Sequence, residues 1–296
     1  MSANNSELLR RIEAIVGAAG ILSGNGLAGR SAGIWSGKAL QALALVRPKT
    51  TAEVSRVMRL CHAAGQVVVV AGGMTGLAYC VRHPGATRSF VSISSATRAE
   101  PFSIAVRSLQ REMIRSDPKW DNGNYDPEDP PIVGQRLARK LGMITYRSGQ
   151  EWRGRFGRER ATDEGGTGDR FKIEFSVESY PDYHAQKFTG DFDPNCYLYL
   201  SHASDLFDLA EYGGSLAAGF KKLRLESTLV VGVTTDILFP IHQQRELASG
   251  FANVVDDAEL IELDCIRGHD SFLVEMDAFR PIICDFFDSH CPDSRR

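Results

Sequence analysis

Two residues in the second half of this chain have the types and spacing of the acid and base in nucleophilic catalysis. Asp236 follows the apolar run Val230-Val231-Gly232-Val233-Thr234-Thr235, and His269 lies in Gly268-His269-Asp270. An acid at the end of an apolar strand, followed about thirty residues later by a histidine, is the tail of a triad in which histidine moves the proton and the acid orients it. The nucleophile of such a site lies upstream, on a sharp strand-to-helix turn of the form Gly-x-Ser-x-Gly. At that place the chain reads Val67-Val68-Val69-Val70-Ala71-Gly72-Gly73-Met74, with no serine.

No other side chain fills the gap. Gly213-Gly214-Ser215-Leu216-Ala217 nearly spells the turn, but it follows the helix-like Asp205-Leu206-Phe207-Asp208 and reads as an ordinary turn. Thr75 and Cys80 lie beyond the turn, on or near the next helix, and Cys80 reads as core packing. Ser94 and Ser95 end a strand without flanking glycines. Gly24-Asn25-Gly26-Leu27-Ala28-Gly29 spells a dinucleotide fingerprint, which requires a strand before it and a helix after it. A helix before and a loop after are expected here, so the match reads as accidental.

The elements that position these residues follow from periodicity and punctuation. Ser6 is expected to cap a first helix through Leu8, Leu9, Ile12, Ile15 and Val16, with Gly-rich turns after it to Gly37. Leu43 to Val46 reads as a strand, a helix opens at Thr50 or Thr51, and Val67 to Val70 reads as a buried strand, giving one βαβ unit. A helix through Leu77 to Val81, a strand Ser89 to Ser94 and a long helix from about Phe102 to Arg115 come next. Residues 134–210 read as mostly helical, with the loop from Thr162 to Asp169 the best candidate for disorder. Strands Thr228 to Val233 and Glu259 to Leu263 alternate with helices near Gln243 to Phe251 and Asp277 to Phe287. The fold class is α/β, a sheet bearing a helical lid over about 117–225.

At 296 residues, 43% hydrophobic and 24% charged, the chain is long enough to bury a real core. A net charge of -3 gives no reason to expect nucleic acid or an anionic membrane as partner. No apolar run reaches the roughly 18 residues that span a bilayer. The first residues lack a signal-peptide pattern, so a cytoplasmic location is expected. Six dispersed cysteines without a Cys-x-x-Cys pair fit buried thiols, and no His/Cys/Asp cluster has metal-ligand spacing.

Longer motifs add two resemblances. Ser108-Leu109-Gln110-Arg111-Glu112-Met113-Ile114-Arg115-Ser116-Asp117-Pro118, Leu137-Ala138-Arg139-Lys140-Leu141-Gly142-Met143-Ile144-Thr145-Tyr146, Val177-Glu178-Ser179-Tyr180 and Phe192-Asp193-Pro194-Asn195-Cys196-Tyr197, with the Asp236 and His269 segments, resemble homoserine/serine O-acyltransferases of the α/β-hydrolase superfamily. That resemblance covers about 72–287. A different one covers about 8–78. Ala44-Leu45-Val46-Arg47-Pro48-Lys49-Thr50-Thr51-Ala52-Glu53-Val54, Cys61-His62-Ala63-Ala64-Gly65 and Gly72-Gly73-Met74-Thr75-Gly76-Leu77 are similar to the start of FAD-linked oxidases of the lactate/glycolate dehydrogenase type. There, a loop matching Gly72, Gly73, Thr75 and Gly76 lets backbone N–H groups approach the flavin pyrophosphate.

The two patterns meet at the shared Gly-Gly segment, which implies a fusion. Residues 1–71 would be a truncated βαβ segment like the start of a flavin-binding domain, and 72–296 the C-terminal part of an α/β-hydrolase fold. In the intact acyltransferases, serine takes the acyl group from acetyl-CoA or succinyl-CoA and passes it to the hydroxyl of L-homoserine or L-serine. Laying the family pattern over this chain puts Val70 at the serine, Asp236 and His269 at the acid and base, Arg139 at the arginine that holds the substrate carboxylate, and Asp270 beside the substrate ammonium. Activity near background is therefore expected. FAD binding is not expected, because one βαβ unit supplies neither a second lobe nor a flavin pocket. The alternatives are a non-catalytic partner of an intact homologue and a fragment of an FAD-linked oxidoreductase; a homodimer is a further arrangement the resemblance allows.

Overall fold

The computed structural model describes residues 3–28, 31–33, 36–39, 42–64, 75–161, 173–189 and 192–290. It divides into two compact units, 1–71 with 273–296, and 72–272. In the first unit α1 (Ala3–Val16) precedes β1 (Ile21–Ser23), α2 (Asn25–Ala28), β2 (Ser31–Gly33), β3 (Ser36–Ala39), β4 (Ala44–Val46) and α3 (Thr51–Ala63). Leu8, Ile12 and Val16 recur every four residues on α1 and bury one stripe with Val57 and Cys61 of α3. β1 pairs antiparallel with β4, and β2 with β3.

Two local expectations are corrected here. Ser6 lies inside α1, which begins at Ala3, so it is not the helix cap. The segment after Gly17 holds short strands as well as turns, and Gly24 to Ala28 is preceded by a strand and followed into a helix, the reverse of what its sequence suggested. It remains unlike a dinucleotide turn, since α2 is a single turn and β1 is antiparallel to its neighbour. The expected strand at Val67 to Val70, the loop from Thr162 to Asp169 and the turn residues Gly72 and Gly73 lie outside the described residues.

The second unit opens with α4 (Thr75–Arg82), β5 (Ser89–Ile93) and α5 (Pro101–Arg115). The helices α6 (Ile132–Thr145), α7 (Gly149–Phe156), α8 (Ser176–Phe188), α9 (Pro194–Leu206) and α10 (Leu216–Phe220) follow, then β6 (Ser227–Val233), α11 (Ile241–Ala252) and β7 (Asp257–Leu263). β5, β6 and β7 form a parallel sheet in that order. Each residue of β6 is buried, because ladders flank both edges and helices cover it, which is why it reads as a continuous apolar run. Leu77 and Val81 of α4, Phe220 of α10, and Leu247 and Phe251 of α11 share one core with Val230. Phe220 meets Phe251 edge-on at 5.4 Å.

The remaining helices make a layer of their own. α5 packs against α6 and α9, and α6 against α8. Pro101 starts α5 at a position where its missing N–H is not needed, and Asp117, just past the end of the helix, accepts from the Lys119 and Gly134 N–H groups. Helix α12 (Ser271–Val274) follows the sheet, and α13 (Met276–His290) ends the described chain. Asp236 and His269 thus follow adjacent parallel strands, at the carboxyl edge where such sheets carry ligands.

Candidate active site

Asp236 is fully buried, and three donors converge on its carboxylate. One oxygen accepts the backbone N–H groups of Leu238 at 2.9 Å and Phe239 at 3.0 Å. The other lies 2.8 Å from His269 Nδ1. A carboxylate only accepts, so Nδ1 carries a proton, which in the neutral imidazole makes Nε2 the acceptor. The imidazole sits between the rings of Tyr146, Phe239 and Phe272, at 5.3–5.9 Å between centroids. That packing restrains ring rotation while one edge stays open to a cavity of about 310 Å³.

The loop that carries His269 is fastened at several points. Gly268 N–H donates to Thr235 Oγ1 at 3.2 Å, Asp270 N–H to Tyr146 O at 3.1 Å, and Ser148 Oγ to Ile266 O. Gly268 has φ of +71°, and a Cβ there would approach Ser148 N to 2.8 Å. Only glycine meets both demands. Gly268→Ala is expected to lower stability by about 2–3 kcal/mol, from the left-handed backbone plus the clash. Urea unfolding checks it; an unchanged midpoint would show that the loop is not held as described.

Arg139 and Asp270 come close to this pair. The Arg139 guanidinium lies over the Phe188 ring at 4.6 Å and the Tyr146 ring at 5.6 Å, and its buried Nε has no hydrogen-bond partner. Asp270 is buried, with Arg147 Nη2 at 3.9 Å. Burial pushes its carboxyl above the usual range, against the pull of His269, Arg147 and Arg139. Arg147 is itself paired with Glu151, which also accepts from Arg267 at 3.2 Å. Burial likewise pushes the Tyr146 phenol up.

One charged wall of the cavity was missed by the sequence reasoning. Arg107 lines it, with Nε donating to Asp205 at 2.5 Å and a buried Nη2 that has no partner. Arg111 pairs with the other Asp205 oxygen at 2.6 Å and donates to Ser201 at 2.8 Å. Two guanidinium groups share one carboxylate, so positive charge is in excess beside this largely apolar cavity. Arg107 and Arg111 were not among the sequence candidates, because Asp205 is remote in sequence; the four-residue spacing of the two arginines was the one available signal.

Among the described residues no group of three or more His, Cys, Asp and Glu side chains could hold a metal ion, and no helix is long and apolar enough to cross a membrane. Residues 50–275 match a family described as alpha/beta hydrolase fold. The chain belongs to that family. The match begins within the segment whose sequence resembles flavin-linked oxidases.

This alpha/beta hydrolase chain is 51% identical over 238 residues to a serine O-succinyltransferase of Stenotrophomonas maltophilia strain K279a, covering 80% of itself and 64% of that protein. It is 47% identical over 246 residues to a serine O-succinyltransferase of Xanthomonas campestris pv. campestris strain B100, covering 79% and 65%. The chain therefore spans just under two thirds of the length of these relatives. Homoserine O-acetyltransferase from Bacillus anthracis shares the fold at a TM-score of 0.67 and 19% identity, covering 79% of this chain and 64% of that one. Esterase E22 does so at 0.65 and 20%, covering 79% and 66%.

Placement of the remaining sequence candidates is uneven. Val70, Gly72 and Gly73 fall outside the described residues, and Thr75 opens α4. Gly76 lies in α4 where a Cβ would come 3.0 Å from the Phe90 ring, so close packing accounts for it. Ser215 caps α10 by accepting from Ala218 N–H. Cys80 is buried in the core, as its neighbours suggested. Ser94 is the surprise: it is buried, with φ of 45° and no partner for its hydroxyl. Strain of that kind gathers at functional sites, yet Ser94 does not line the cavity that His269 lines.

Proposed function

We propose that this chain carries the proton-transfer and substrate-holding parts of an acyl-CoA-dependent O-acyltransferase, with Val70 at the nucleophile's position. The observation that carries the reading is the 2.8 Å Asp236–His269 pair opening onto a cavity with a lone arginine donor. His269 Nε2 would take the proton from an attacking hydroxyl and return it to the leaving group, while Asp236 holds the tautomer and balances the imidazolium. Arg139 would hold the carboxylate of the acceptor amino acid and Asp270 its ammonium. With no hydroxyl at residue 70, turnover is near background.

The relatives named as serine O-succinyltransferases support L-serine as acceptor and succinyl-CoA as donor, with L-homoserine and acetyl-CoA the nearest alternatives. Arg107 supplies a physical reason for the donor, since a succinyl group ends in a carboxylate and an acetyl group does not. We place the hydrolase portion at 72–296 with its lid over 117–225, as a cytoplasmic biosynthetic protein. No step uses a flavin.

Binding tests the donor without requiring turnover. Calorimetry is expected to show succinyl-CoA binding the parent chain at least about tenfold more tightly than acetyl-CoA, the worth of one charge-assisted hydrogen bond. Arg107→Ala is expected to abolish the difference. Equal affinity of the parent for both thioesters would contradict the assignment.

A further inference from the structure

The proposed reaction leaves one large ligand group without a place. The donor is a thioester of coenzyme A, whose long pantetheine arm ends in an adenine, a pyrophosphate and a 3′-phosphate. That end needs ring faces for the base and cations not already paired with carboxylates for the phosphates.

One strip of the lid has both. Tyr180, His184 and Phe188 stand four residues apart on α8, so they form a row on one face, about 12 Å long. Tyr180 and His184 stack edge to face at 4.5 Å, and Phe188 lines the acyl cavity. At the far end Phe156 and Trp152 extend the aromatic surface, at 5.2 and 6.0 Å from Tyr180. The row therefore leads from an aromatic platform to the cavity mouth.

Arg147, 5.9 Å over Tyr180, pairs with Glu151, but three other cations here meet rings. The Arg155 guanidinium lies 4.1 Å from the Tyr180 ring centre and donates to the Tyr180 hydroxyl at 3.1 Å. Lys187 lies 4.4 Å over Tyr183, and Arg139 over Phe188. The helix's acids are engaged elsewhere: Glu178 accepts the N–H groups of Glu174 and Phe175, and Asp182 pairs with Arg136 and Lys140. The imidazole of His184 registers the resulting field. Its pKa is pushed down, first by burial and then by the charges of Lys187, Arg147, Arg155 and Arg139.

From this we propose that the Tyr180–His184–Phe188 row receives coenzyme A, with the adenine on the aromatic platform and the phosphates against Arg155 and Lys187. The assignment rests on the acyl-CoA reading above. Stacked bases and charge-assisted phosphate contacts are the usual means of holding such a group.

Calorimetric titration of free coenzyme A tests it, using the parent chain, Arg155→Ala, Arg155→Lys and Lys187→Ala. Arg245→Ala, an exposed arginine on α11, serves as control. Arg155→Ala and Lys187→Ala are each expected to weaken binding about tenfold, Arg155→Lys less, and the control not at all. Arg155 and Lys187 are exposed, so unchanged circular dichroism spectra should accompany the loss. Parent-like affinity in the Arg155 and Lys187 variants would overturn the site and leave the acyl-CoA reading standing. No binding of coenzyme A by the parent would overturn both.

Discussion

Val70→Ser is expected to raise thiol release from succinyl-CoA, in the presence of L-serine, at least about 10²-fold over the parent chain. Asp236 and His269 already meet at 2.8 Å, and His269 lines the cavity. Removing the nucleophile from such a constellation lowers kcat by about 10⁶. Restoring a hydroxyl should recover part of that factor. Full recovery also needs an oxyanion hole, whose donors are the N–H after the nucleophile and one from an earlier loop. Ala71 follows Val70 and can supply the first. A gain of 10² rather than 10⁶ is the effect of a hydroxyl with its base but an incomplete oxyanion site.

Asp236→Asn, made together with Val70→Ser, is expected to remove nearly all of that roughly 10²-fold gain; in a fully efficient triad the same change costs about 10⁴ in kcat. The side chain keeps its shape and can still accept from Leu238 and Phe239. What changes is the partner of Nδ1. An amide turned with its NH₂ toward His269 forces the imidazole into the other tautomer, with the proton on Nε2, where it cannot act as base. Steady-state thiol release at saturating succinyl-CoA measures this. A double variant as fast as Val70→Ser would mean that His269 is not the base.

The strands and the meeting of Asp236 with His269 were legible because local pattern suffices for them. An apolar run ending in an acid is a buried parallel strand reaching its carboxyl edge. The roles proposed for the pair rest on residue types, their order along the chain and the family resemblance. The helices between 117 and 225 were legible, but not their electrostatic surface. Arg107 faces the cavity because α5 packs on α9 and brings it Asp205, a contact across 98 residues that no periodicity announces. The row on α8 is similar: Tyr180, His184 and Phe188 share a face by spacing, yet Arg155 joins them only through the fold. Short elements misled in the opposite way. β1 has three residues, too few for alternation to show, so the chain after Gly17 read as turns. Ser94 looked like an ordinary strand end, and its strained, unpartnered state exists only in three dimensions.

Intact-mass and peptide mass spectrometry after incubation with succinyl-CoA, on the parent chain beside Val70→Ser, would catch the acyl-enzyme itself. One succinyl group is expected on the peptide containing position 70 in the variant, and no adduct on the parent. A succinylated parent, at Ser94 or elsewhere, would contradict it by revealing another nucleophile. So would a folded variant that binds succinyl-CoA yet takes up no acyl group, since Asp236 and His269 would then not activate a hydroxyl at that position.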